Sequence, residues 1–408
     1  MFPKVSKPKK NIYLDYAAAT PVDPKVEKAM QPFWGRSFGN PSSLYKQGRE
    51  AKKAVDESRK KIADVVGARP QEVIFTAGGT ESCNLAIFGT ARMHTDFKTD
   101  KHRSPHIIIS AIEHHAVINP SKSLVGEGFG LTILDVDKYG FVDLKTLQQC
   151  VRPETILISI MCANNEIGTI EPVAEVGKWL KGENQRRGQK NQPSIIFHTD
   201  ACQAAGHLDI NVNRLGVDLM SINGSKIYGP KQTGFLFVRN GVNLKPLIYG
   251  GGQERGLRSG TENVPGIVGL AKALELVQRV RELESQRISK LQKYFISKLI
   301  KIPGVGLNGP EADSQKRLVN NINVTIKGVE GEALMLYLDS YGIAVSTGSA
   351  CSTGSSDASH VLLAIGQSKK AALSSIRFSL GKSTTKADLD YVLKTLPGIV
   401  TEMRRIKS

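Results

Sequence analysis

The sequence predicts an α/β protein: a large domain on a mostly parallel seven-stranded sheet, followed by a smaller α+β C-terminal domain. Three observations carry this expectation. Seven strand-like runs rich in Ile, Val, Leu and Phe fall between residues 72 and 239. Several are unbroken apolar runs rather than alternating ones, as in strands buried on both faces. Helical patterns separate many of them, the order typical of parallel-sheet units.

In chain order, the expected strands are residues 72–76, 106–110, 131–135, 155–161, 194–199, 218–222 and 234–239, with helical stretches at 48–66, 144–151 and 173–187. After Pro265, apolar Ile267, Leu270, Leu274, Val277, Leu283, Ile288 and Leu291 recur at helical spacing, which predicts a long helix bridging two domains. A strand (319–326), a helix (331–340), a short strand (343–346), a Gly/Ser-rich loop (346–359), a helix (357–365), a strand (374–379) and a last helix (386–405) complete the smaller unit. The expected division is an N-terminal segment (1–24) packing with the small domain, a large domain (25–265), and the bridging helix with the small domain (266–408).

With 408 residues and 40% hydrophobic content the chain is long enough for a large core and two domains. No apolar run approaches the roughly 18 residues of a membrane span. The start, Met1 to Lys10, is basic and lacks the apolar core of a secretory signal. Five cysteines with no Cys-x-x-Cys pair argue against a metal clamp or redox dithiol and for reduced thiols in the cytoplasm. The net charge of +17 is spread along the chain, not gathered in one stripe, so it suggests acidic protein partners rather than dedicated nucleic-acid binding.

Several residues carry chemistry. Lys226 lies in Ser-Ile-Asn-Gly-Ser-Lys-Ile-Tyr-Gly-Pro-Lys, and a lysine among small residues can form a Schiff base with an aldehyde. Asp200 ends an apolar strand, where α/β sheets place ligands, and can keep a pyridine nitrogen protonated or merely cap a turn. Together they point to pyridoxal 5′-phosphate. The run Ala77-Gly78-Gly79-Thr80-Glu81-Ser82 joins a strand to a helix, so it is either a phosphate cradle or a glycine turn with a Thr cap. Gln203 and Asn165 are candidates for the ring oxygen. A histidine after strand 106–110 can lie on a cofactor ring and shuttle protons, but the spacing does not separate His114 from His115. Arg377, inside an apolar strand, needs a partner: a substrate carboxylate held in a fork, or a structural ion pair. Cys351 sits among Gly, Ser and Thr, a setting that suits an exposed nucleophilic thiol better than a core cysteine.

These pieces closely resemble a cysteine desulfurase of the NifS- and IscS-like group. The resemblance runs nearly end to end and includes Tyr13–Pro21, Phe38–Ser43, Asn164–Gly168, Gly250–Thr261 and Ser349-Ala350-Cys351. It implies fold type I of pyridoxal-phosphate enzymes and a homodimer. By matched motif, Lys226 would carry the cofactor, Asp200 would pair its pyridinium and His114 would stack on the ring. Asn165 and Gln203 would bond its hydroxyl side, and Gly79, Thr80, Asn223 and Ser225 would hold the phosphate. Thr261 would reach the phosphate of the neighbouring subunit. Arg377, with Asn165, would bind the carboxylate of L-cysteine, and Cys351 would take the sulfur as a persulfide. The products would be alanine and sulfur, passed to an iron–sulfur scaffold or to a sulfur relay for tRNA thiolation. The group usually has His where this chain has Ser225, Ser where it has Asn223, and often Lys where it has His115. Serine and asparagine still donate hydrogen bonds, so phosphate binding is expected to persist. The alternatives are a selenocysteine lyase of the same fold, or a non-catalytic binding relative.

Overall fold

The computed structural model describes residues 10–94, 104–347 and 358–407. Twelve strands fall in three sheets among these residues. In chain order they are β1 (Ile12–Tyr13), β2 (Val73–Thr76), β3 (His106–Ser110), β4 (Gly130–Leu134), β5 (Thr155–Ser159), β6 (Ile196–Asp200), β7 (Leu219–Asn223), β8 (Gly234–Val238), β9 (Val305–Asn308), β10 (Asn321–Ile326), β11 (Ile343–Ala344) and β12 (Ser375–Ser379). The central sheet has seven strands in the order β2-β8-β7-β6-β5-β3-β4. All seven expected strands are present. Their residues are almost all buried in β2, β3, β5 and β8, as unbroken apolar runs require.

Only β8 runs against its neighbours, pairing antiparallel with both β2 and β7. Two reversals restore direction, so the carboxyl end of β2 lies at the same edge as those of β7, β6, β5 and β3. Thr76 and Asn223 both face Gly234 across this strand. Gly234 leaves room there, because a Cβ on it would meet Gly78 Cα at 2.7 Å.

The smaller sheet, β12-β10-β9, is antiparallel. β1 pairs in parallel with β11, bringing the N-terminal segment to the small unit. The helix Val264–Leu299 buries Val264 to Val277 in the core of the central sheet, and Ile288 to Leu299 in the core of the small one. Elements with no counterpart in the sequence reading include β1, β9 and the helices Pro24–Met30, His115–Gly126, Val212–Leu215 and Lys369–Leu373. Cys351 lies outside the described residues.

Candidate active site

The carboxyl ends of the central strands surround a cavity of about 380 Å³, in the roughly 300–1,000 Å³ range of small-molecule sites. Gly79, Thr80, His114, Asn165, Asp200, Gln203, Asn223, Lys226 and Arg377 all line it. Ser225 and Thr261 do not; Thr261 is exposed.

Lys226 follows β7 in a single 3-10 turn capped by Asn223. Its Nζ donates to Ala17 O at 3.0 Å and Ala18 O at 2.5 Å, so the N-terminal segment lies directly over the amine. Gln203 Nε2 donates to the same Ala17 carbonyl at 3.0 Å. Asp200, the last residue of β6, is buried, and its Oδ1 accepts from Cys202 N at 2.9 Å.

His114 lines the cavity and also caps a helix. His114 precedes the helix His115–Gly126, and its Nδ1 accepts from Ala116 N at 3.1 Å. That bond leaves Nε2 for the cavity side. Burial holds the His114 imidazole below its ordinary pKa, with Lys226 pushing the same way and Asp200 opposing, so it is neutral near pH 7. His115 turns away, its Nε2 lying 3.3 Å from His360 Nδ1.

The helix Gly79–Met93 points its N-terminus at the cavity, offering free backbone N–H groups and positive partial charge. Gly79 is needed for space: a Cβ there would stand 2.7 Å from Cys202 Sγ and 3.5 Å from Asn223 Nδ2. Asn223 Oδ1 accepts from Ser225 N at 3.1 Å and from Ser225 Oγ at 3.0 Å. The serine hydroxyl thus fixes the amide with Nδ2 near the helix start. Asn164 and Asn165 divide their work: Asn164 Oδ1 accepts from Glu166 N and Ile167 N to shape the turn, while Asn165 lines the cavity.

Arg377 is 3% exposed. Nη2 pairs with Asp15 Oδ1 at 2.8 Å and Nη1 donates to Asn165 O at 2.9 Å, whereas the buried Nε has no partner. The structural ion pair expected for this residue is present, and the side chain also lines the cavity.

Burial pushes the thiols of Cys83 and Cys202 well up and that of Cys162 up to about 12, which disfavours the thiolate form at all three. The sequence reading gave no role to Asp15, Ala17, Ala18 or Cys202. The motif Tyr13–Pro21 was legible, but its long-range contacts have no local signal.

These residues fit pyridoxal 5′-phosphate. A helix start with a glycine that admits no side chain suits a phosphate, a buried carboxylate suits a pyridinium, and an amine at the cavity wall suits an aldehyde.

Residues 12–392 match the model of the class-V aminotransferase family. The chain is 49% identical over 399 residues to "Cysteine desulfurase IscS" of Dictyoglomus turgidum, covering 98% of this chain and 96% of that one. Among solved structures it is similar to a "NifS-like protein" (TM-score 0.85, 36% identity, 96% of this chain and 100% of that one). It is also similar to one described as "SspA in complex with cysteine" (TM-score 0.76, 37% identity, 90% of this chain and 98% of that one).

Proposed function

The chain belongs to the class-V aminotransferase family and is a pyridoxal-phosphate-dependent cysteine desulfurase, and from that premise we propose the following roles for its residues. Lys226 holds the cofactor's aldehyde carbon and Asp200 its pyridine nitrogen. Asn165 and Gln203 bond the ring hydroxyl side. The helix start at Gly79 and Thr80 holds the phosphate together with Asn223, which Ser225 orients. When bound, the cofactor withdraws electron density from the substrate carbon it carries. His114 would stack on the ring and would move protons at Nε2, Nδ1 being committed to Ala116 N.

Arg377 binds the carboxylate of L-cysteine through the edge that carries its unpartnered Nε. Cys351, outside the described residues, attacks the substrate sulfur as thiolate. The substrate C–S bond breaks, an S–S bond forms on the enzyme, and the carbon gains a proton to become the alanine methyl. No external oxidant or reductant is required for this half of the cycle.

The observation that carries this reading is the meeting of Lys226, Asp200, His114, Asn165, Gln203 and Arg377 at one cavity. These residues come from positions up to 263 apart in the chain, between His114 and Arg377.

The working enzyme is a homodimer in which Thr261 completes the partner's phosphate site. Its exposure away from its own cavity supports this, as do Trp34, Phe38, Leu44 and Tyr249, each more than two-thirds exposed. The chain divides at 1–24, 25–265 and 266–408, works in the cytoplasm, and hands its sulfur to an iron–sulfur scaffold or sulfur-relay protein. The four described cysteines form no disulfide, and no described helix is long and apolar enough to cross a membrane.

The test is to supply L-cysteine with a reductant and measure alanine and sulfide together. Equal yields are expected; sulfide without alanine refutes the reaction.

A further inference from the structure

The guanidinium that would receive the substrate already holds a carboxylate. Asp15 Oδ1 lies 2.8 Å from Arg377 Nη2, and both side chains are largely buried. The neighbouring donor on the same edge of the guanidinium, Nε, is buried and has no partner. A carboxylate takes a two-point grip on such an edge, one oxygen per nitrogen. An incoming carboxylate that takes the pair Nε and Nη2 therefore shares Nη2 with Asp15 and meets a second negative charge on the same guanidinium.

Asp15 sits at one end of a short strap. Ser379 N donates to Leu14 O at 2.7 Å and Ala17 N donates to Ser379 Oγ at 2.9 Å, which anchor the strap to β12. Two and three residues beyond Asp15, the carbonyls of Ala17 and Ala18 hold the Lys226 amine. Thr20 N then donates to Ser225 O at 2.9 Å, fastening the far end beside the lysine. Ala18 N and Ala19 N donate to Asp15 O, at 3.0 and 3.4 Å, so the turn depends on where Asp15 stands.

We propose that Asp15 is an internal competitor for the substrate carboxylate: it neutralises Arg377 in the free enzyme and yields to the amino acid on binding. This rests on the reading that Arg377 binds that carboxylate. A buried guanidinium left without a counter-charge is costly, so the enzyme gains from keeping one in place. The exchange has a functional sense. L-Cysteine and L-alanine carry the same carboxylate, and uniform grip on a group present in both does not speed the chemistry. A carboxylate waiting to return to Arg377 weakens that grip and favours release of product.

The test uses the cofactor-loaded enzyme and Asp15→Asn. Losing one charge-assisted hydrogen bond from the competitor is expected to lower KM for L-cysteine and Kd for L-alanine by roughly tenfold. Saturating L-alanine should raise Tm more in the variant than in the wild type. Unchanged or higher KM and Kd overturn the proposal. A measurement on the wild type needs no variant to fold: L-alanine should accelerate backbone hydrogen exchange at Ala18 and Ala19, and ethylamine, which has no carboxylate, should not. Equal exchange with both ligands also overturns it. Arg377→Lys separates the two ideas. If it leaves KM unchanged, the assignment of Arg377 falls and the competitor with it. If it raises KM while Asp15→Asn does not lower it, only the competitor falls.

Discussion

Gly79→Ala tests the phosphate cradle with a single methyl group. The backbone tolerates the change, because Gly79 is not among the residues with positive φ. Space is the obstacle. The new Cβ would lie 2.7 Å from Cys202 Sγ and 3.3 Å from Asn223 Cβ. The first contact is about 1 Å inside van der Waals distance, and overpacking of this kind costs roughly 1–3 kcal/mol. Both ways of relieving it damage the same site. If the helix start retreats, its N–H donors move off the phosphate; if the thiol swings aside, it enters the cavity. The expected loss of affinity for pyridoxal 5′-phosphate is therefore roughly five- to 150-fold. Titration of cofactor-free protein, followed by visible absorbance, measures it. Adding Cys202→Ala removes the 2.7 Å contact and should restore most of the loss, a strongly non-additive pair. Unchanged affinity in the single variant, or simple additivity in the double, refutes the steric reasoning.

Other outcomes follow from the assigned roles. Lys226→Ala should abolish the yellow colour of the purified enzyme and lower turnover by at least roughly 10²–10⁴; a persistent lysine-linked absorbance contradicts the tether. Cys351→Ala should keep the cofactor spectrum and lose turnover, and normal sulfide release by that variant rules out the thiol as acceptor. Stability should also fall in acid through His198. Its Nδ1 lies 2.8 Å from Ser159 Oγ and its Nε2 2.9 Å from Ser221 Oγ, and burial lowers its pKa from 6.5 to about 4. The folded pKa is depressed, so the contribution is full above 6.5 and is lost as pH falls to about 4. That window is worth about 3 kcal/mol at most. Urea unfolding at both ends of it should show a smaller pH dependence for His198→Asn than for the wild type, and identical slopes would refute the assignment.

The strands of the central sheet were legible because burial on both faces demands runs such as Val73-Ile74-Phe75 and Ile107-Ile108-Ile109. β1 was not, since two residues whose partner lies at Ile343 leave no periodic trace. Lys226, Asp200 and Arg377 could be singled out as charged residues at odds with apolar or small-residue surroundings. Spacing did not separate His114 from His115; what distinguishes their surroundings is a helix cap at His114 and, for His115, a contact with His360, 245 positions away. Ser225 was expected near the phosphate only by resemblance; the bond from its hydroxyl to Asn223 is a local geometry invisible in a string of small polar residues. Asp15 was part of a recognisable motif, but its pairing with Arg377 spans 362 positions and exists only in the fold.

The helix Val264–Leu299 is a ruler as well as a bridge. Its 36 residues extend about 54 Å, with one end embedded beside Lys226's sheet and the other beside Arg377's. Between the two buried stretches its surface opens, and Leu283 stands 74% exposed. Inserting one residue there would leave the composition of both cores intact. It would also turn one half by about 100° and slide it about 1.5 Å against the other. The spacing between amine and guanidinium is thus written into the length of a rod that lines no part of the cavity itself, and natural variation in that length should be rarer than variation in its exposed side chains.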